Sequence, residues 1–217
     1  MILVYFETFA YKVLGLLGIN INGFSGTIRI IIDLAIKLLM CFIVYIIFKR
    51  DFRSRRGKDN LLRTLLIFIV SLVSVVVGMY LFSYVVDFIG DIFNVKVLEQ
   101  NFYNIFDKKL DFDLISKIVS DYIITPYLYC SIIILSVDKI TRRTDTCIVL
   151  SGLLASIIYA LSLSGTLGFV IVNSLNIFVL FAIFAFIYRK RFSIYFIVAL
   201  YSFYLISNVF ILNYIGW

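Results

Sequence analysis

The chain has 217 residues, 63% of them hydrophobic and 15% charged, with a mean hydropathy of +1.06. Soluble domains are about half apolar and about a quarter charged, so a soluble fold is excluded and lipid must be the main solvent. The sequence has no histidine, which excludes histidine-dependent catalysis and histidine metal ligation. The net charge of +7 is concentrated in short loops between apolar segments, a pattern of membrane orientation rather than of nucleic-acid binding.

The composition predicts one integral membrane domain over residues 1–217, an all-α polytopic transmembrane helix bundle of six to seven spans. Residues Ile2–Ile19 form a first helix interrupted by Glu7 and Lys12, which either spans or lies in the interface. It lacks a basic n-region and an A-x-A-like site, so no cleavable signal is expected. A turn rich in Asn, Gly and Ser (Asn20–Thr27) precedes the span Ile28–Phe48. Arg29, Asp33 and Lys37 are spaced four apart on one face of that span, where Asp33 can pair with either neighbour. Charges at membrane depth are functional candidates by default; a helix end in the interface with Lys37 snorkelling is the simpler reading.

Lys49–Arg63 carries seven basic and two acidic residues, a strong cytoplasmic signal and a patch suited to anionic lipid or an acidic partner. The span Thr64–Val86 follows. Residues 87–117 then mix charges with apolar and aromatic side chains, predicting a folded, partly amphipathic external segment. Within it Asp87, Asp91, Phe93, Phe102, Tyr103 and Phe106 are the candidates for docking a partner. Four more spans are expected: Ile118–Val137 with the only proline, Pro126, and with Asp121 near its outer end; Cys147–Leu163; Phe169–Tyr188 with Asn173 and Asn176 on one face; and Ser193–Ile215. The loops 49–63, 138–146 and 189–192 hold thirteen of the twenty basic residues. Alternation puts all three loops on one side, which the positive-inside rule makes the cytoplasm of a plasma-membrane protein. Residues 87–117 and the C-terminus then lie outside, with Tyr214 and Trp217 as interfacial anchors.

Conventional catalytic sets are missing: no HExxH, GxGxxG or Walker A motif occurs. The only pair for a di-aspartyl membrane protease, Asp33 and Asp121, lies toward helix ends without motif context. Cys41, Cys130 and Cys147 have no zinc or disulfide spacing and read as buried thiols. No metal site and no cofactor is expected. Ser151, Ser156, Ser162, Asn173 and Asn176 read as hydrogen-bonding glue between helices, with Gly152 and Ala155 permitting close approach.

The order of features over residues 118–217 is a proline-containing helix, a basic loop, a helix ending near Tyr159-Ala160-Leu161, a polar helix, a second basic loop and a final helix. This order resembles the CPBP family of glutamic-type intramembrane proteases, which includes CAAX-processing enzymes and bacteriocin self-immunity proteins. Thr125-Pro126-Tyr127-Leu128-Tyr129-Cys130 would stand for the family's A-P-x-x-E-E motif, with Tyr129 and Cys130 in place of the glutamates and Ile134 in place of its arginine. Leu163 and Tyr204 would occupy the two histidine positions, and Asn208 would survive from the last motif. The resemblance therefore implies a CPBP-like core in the C-terminal half that has lost its base and its oxyanion donors, hence a pseudoenzyme. The expected role is a non-catalytic scaffold in a bacterial plasma membrane that positions an integral or cell-envelope protein such as a cell-wall hydrolase. Membrane lipid is a second expected partner, and nucleic acid is not. Bacteriocin self-immunity and a transporter or its membrane subunit are the alternatives; Asn173, Asn176 and the Arg29/Asp33/Lys37 face would line a transporter's path.

Overall fold

The computed structural model describes residues 26–54, 61–95, 97, 111–141, 143–163, 165–190 and 192–211. These residues form six helices and no strand: α1 (Gly26–Ser54), α2 (Leu61–Ile92), α3 (Phe112–Ile140), α4 (Thr144–Ala160), α5 (Leu167–Arg189) and α6 (Ile194–Phe210). Four of them, α1, α2, α3 and α5, are long and apolar enough to cross a membrane. The predicted first helix, Ile2–Ile19, lies outside the described residues, as do Phe102, Tyr103, Phe106, Tyr214 and Trp217.

Two helices extend well beyond their predicted ends. The sequence suggests that α2 stops at Val86, yet it continues through Asp87 and Asp91 to Ile92. Its end is set by Asn94, in the left-handed conformation (φ 52°), and by a hydrogen bond from the Val95 amide to the Gly90 carbonyl at 2.8 Å. That 6→1 closure is a Schellman-type cap, which Asn tolerates better than other non-glycine residues. Likewise α3 begins at Phe112, inside the stretch read as an external segment, because the Asp111 carboxylate accepts from the Leu114 amide at 2.7 Å. Thr166 and Ser193 cap α5 and α6 in the same way.

The most buried of the long helices is α3. Pro126 sits at its centre and has no N–H to donate to the carbonyl of Tyr122. The helix widens around it: Ile118–Ile124 and Ser131–Leu135 are π-helical, and the Thr125 amide reaches back five residues to the Ser120 carbonyl. The Thr125 hydroxyl donates to the same carbonyl at 2.9 Å. Wide turns of this kind absorb a proline without breaking the helix.

Around α3 pack α1, α4 and α6, while α2 lies across α5 and α6. Leu128, Ile133, Ile134, Phe184, Ile197 and Leu200 form the centre of the core. The outward faces of α1 and α2 are apolar: Phe42 is 60% exposed and Leu62 68%. Such a surface suits hydrocarbon and not water.

The closest approach is between α4 and α5. A Cβ placed on Gly152 would lie 2.7 Å from the Phe178 carbonyl oxygen and 2.9 Å from its ring. Because the nearer atom is backbone, it cannot swing away. Gly152→Val should therefore lower the stability of the detergent-solubilised protein by about 1–3 kcal/mol, as overpacking does, and Gly152→Ala should act in the same direction. Thermal unfolding of both variants checks this; an unchanged melting temperature for Gly152→Val would contradict the close packing.

Candidate functional site

Arg29, Asp33 and Lys37 do share a face of α1, and that face turns toward α3. Lys37 Nζ lies 2.9 Å from Asp33 Oδ2 and donates to the Ser120 hydroxyl at 2.7 Å. Ser120 donates in turn to Asp121 Oδ1 at 2.9 Å. The result is a continuous chain, Asp33–Lys37–Ser120–Asp121, joining α1 to the first wide turn of α3. The Lys37 side chain is only 12% exposed and that of Asp33 30%. Lys37 lies eleven residues into α1, roughly 16 Å along a helix of about 40 Å. Its ammonium is thus held by an acid and a hydroxyl instead of reaching a helix end. Ser120, which has no charge and no motif around it, is the member that sequence reasoning misses.

A second set of polar contacts gathers the ends of three helices. Lys139 pairs with Asp51 at 3.1 Å, lies 4.4 Å from the centre of the Phe48 ring and donates to the Ile47 carbonyl at 3.4 Å. Beside it Arg189 pairs with Asp138 at 2.9 Å and donates to the Thr141 carbonyl at 2.6 Å, while the Tyr188 hydroxyl donates to Asp138 at 3.3 Å. The Arg189 and Asp138 side chains are 13% and 19% exposed. Residues read from sequence only as loop charges are therefore a clasp that holds the C-terminal ends of α1, α3 and α5 at one end of the bundle.

The positions where the family resemblance would place catalytic groups fall in or beside the core. Cys130 and Ile134 are fully buried, and Tyr204 is nearly so. Tyr129, Cys130, Tyr159 and Tyr204 all lie within electrostatic reach of the Tyr201 phenol. The Tyr201 ring packs on Phe181 and Phe184 with centroids 5.7 and 5.3 Å apart. Leu163 follows the end of α4 and is half-buried. An aromatic plug from α3, α4, α5 and α6 occupies this part of the bundle. It presents no carboxylate, and no group of three or more Cys, Asp or Glu gathers among the described residues.

Several of the polar residues read as interhelical glue bond to carbonyls nearby in the sequence. Ser156 and Ser162 donate to the carbonyls of Leu153 and Tyr159 in their own helix, and the Asn173 amide donates to Phe169 at 2.9 Å. Short polar side chains in a helix commonly bond back in this way. The hydroxyls of Ser131 and Ser151 and the Asn176 Oδ1 are buried without a partner among the described residues. At the opposite end of the bundle from the clasp, Asp87, Asp91 and Phe93 are exposed at the end of α2. They form an acidic, aromatic tip rather than part of a separate segment.

Comparison of the chain with protein-family models, with characterised proteins and with solved structures finds no match.

Removing Lys37 withdraws the group that both Asp33 and Ser120 use. Breaking a fully buried pair costs about 3–5 kcal/mol; with Asp33 partly exposed, Lys37→Ala should cost on the order of 2 kcal/mol. Lys37→Met combined with Asp33→Leu should recover much of that loss, since the charge demanding compensation is gone. Thermal unfolding in detergent separates the outcomes, and a neutral Lys37→Ala would show that the chain does not hold α1 to α3.

Proposed function

We propose that the protein is a non-catalytic integral membrane scaffold, a catalytically degenerate CPBP-like protein of a bacterial plasma membrane that positions a membrane or cell-envelope partner. The observation that supports this reading is the aromatic and aliphatic filling at Cys130, Ile134 and Tyr204. A hydrolytic site needs a base and donors aimed at developing charge, and close-packed apolar side chains supply neither. The Asp33–Lys37–Ser120–Asp121 chain joins α1 to α3 through an ion pair and hydrogen bonds, which suits a brace between helices better than a transport path.

In this reading all six described helices cross the bilayer. At 17 residues each, α4 and α6 reach only about 25 Å, and local thinning of the bilayer accommodates them. The clasped end, with its basic residues, faces the cytoplasm. The tip of α2 then faces outward and offers Asp87, Asp91 and Phe93 to the partner.

The test is recovery of the tagged protein from its native membrane in mild detergent, followed by mass spectrometry. The scaffold reading expects one envelope protein at about equal stoichiometry, lost from a variant carrying Asp87→Asn, Asp91→Asn and Phe93→Ala that remains folded. Recovery of the protein alone would overturn it and favour peptide immunity or transport.

A further inference from the structure

The second helix is longer than the hydrocarbon requires. From Thr64 to Val86 it carries no Asp, Glu, Lys or Arg. That stretch is roughly 34 Å long and, with modest tilt, matches a hydrocarbon core of about 30 Å. Tyr80 and Tyr84, hydrogen-bonded to each other, lie near its far end, where amphipathic rings mark the membrane surface. Charges are costly at membrane depth, so Asp87–Ile92, the last residues of α2, stand beyond the hydrocarbon at the end away from the clasp.

Helix periodicity sorts this projecting part into three faces. Val86 and Gly90 are buried, and a Cβ placed on Gly90 would lie 2.9 Å from the Val95 carbonyl oxygen and 3.9 Å from Val172 of α5. One position on, about 100° around the helix, Asp87 and Asp91 are exposed. Two positions on, opposite the buried face, Phe88 is 64% exposed and Ile92 63%. Phe88 and Asp91 are three residues apart and so are neighbours on the helix surface; an acidic stripe and an apolar stripe lie side by side. Neither acid forms an ion pair with a described residue. Apolar side chains farther down α2 face lipid, whereas Phe88 and Ile92 stand past the hydrocarbon, where exposed apolar surface marks an interaction site.

We infer that this tip of α2 is a docking face for a cationic amphipathic helix, whose lysines or arginines meet Asp87 and Asp91 and whose apolar side chains meet Phe88 and Ile92. Charge complementarity selects this occupant. An anionic membrane surface repels the two carboxylates, and a purely apolar partner would cover them without supplying a cation. An amphipathic helix presents adjoining apolar and charged faces at the spacing of the two stripes. The inference rests on the scaffold reading above and names the chemistry of its partner.

Fluorescence anisotropy of a labelled Leu/Lys amphipathic peptide of about 18 residues tests it, with the full chain in phosphatidylcholine nanodiscs and empty nanodiscs as the blank. The expected result is saturable binding above the blank, weakened roughly tenfold in Asp87→Asn/Asp91→Asn and about as much in Phe88→Ala/Ile92→Ala. Asp87→Glu/Asp91→Glu should keep the binding, and a Leu/Glu peptide of the same pattern should show none. Equal binding by every variant, or binding no stronger than to empty nanodiscs, would overturn the site. So would loss in the charge variant alone, which is unspecific attraction and not docking of an amphipathic helix. A lowered melting temperature of Phe88→Ala/Ile92→Ala with unchanged peptide binding would also overturn it, because the face is then covered from within the chain. The scaffold reading fails separately, when the protein is recovered alone from its native membrane yet still binds the peptide.

Discussion

A proline removes one backbone donor from the most buried long helix of the bundle, and the way that loss is absorbed sets the geometry of everything packed on it. In hydrocarbon no water can take up a freed carbonyl, so the chain must satisfy its backbone internally. Around Pro126 the helix widens, and Thr125 gives both its amide and its hydroxyl to the Ser120 carbonyl. The wide turn carries Ser120 and Asp121, and it is there that Lys37 of α1 docks. The proline, the π-helical turn and the buried lysine form one arrangement: the same distortion that accommodates the ring also presents the hydroxyl that receives the ammonium.

Charge is distributed on the same principle. Along α1 the buried ammonium has a carboxylate one turn away and a hydroxyl across the helix interface. At the clasped end, Asp51, Asp138, Lys139 and Arg189 pair across helices and leave their basic neighbours to the outside. Buried ion pairs add little net stability over apolar residues, but they penalise any arrangement in which one partner is lost. Their role here is to set register. Lys37 fixes α1 against α3, and Arg189 fixes α5 against the end of α3. By contrast α4 and α5 need no such device, because Gly152 lets the α4 backbone close directly on Phe178.

The aromatic content has a comparable structural logic. Tyr129, Tyr159 and Tyr204 lie around the Tyr201 phenol. Rings fill that volume, and Phe181 and Phe184 complete the packing against Tyr201. Outside this filled centre, the acidic tip of α2 is exposed at one end of the bundle and basic side chains at the other.

Much of this was legible in the chain itself. Hydropathy alone determined the helical class, the six described helices and their order, and the four-residue spacing of Asp33 and Lys37 determined that they could pair. Helix ends were less legible, since the cap at Asn94 and the cap at Asp111 lie in a stretch whose charges mimic a loop. What only the tertiary structure decided is which face of each helix turns inward. A helix apolar on all sides carries no periodicity to say so, and so the meeting of Lys37 with Ser120, 83 residues apart, could not be read from either segment. The same holds for Asp138 with Arg189, and for the tyrosines that close around Tyr201. Local spacing encodes what lies one turn away; contacts between helices depend on how the whole bundle buries its most polar side chains at the least cost in lipid.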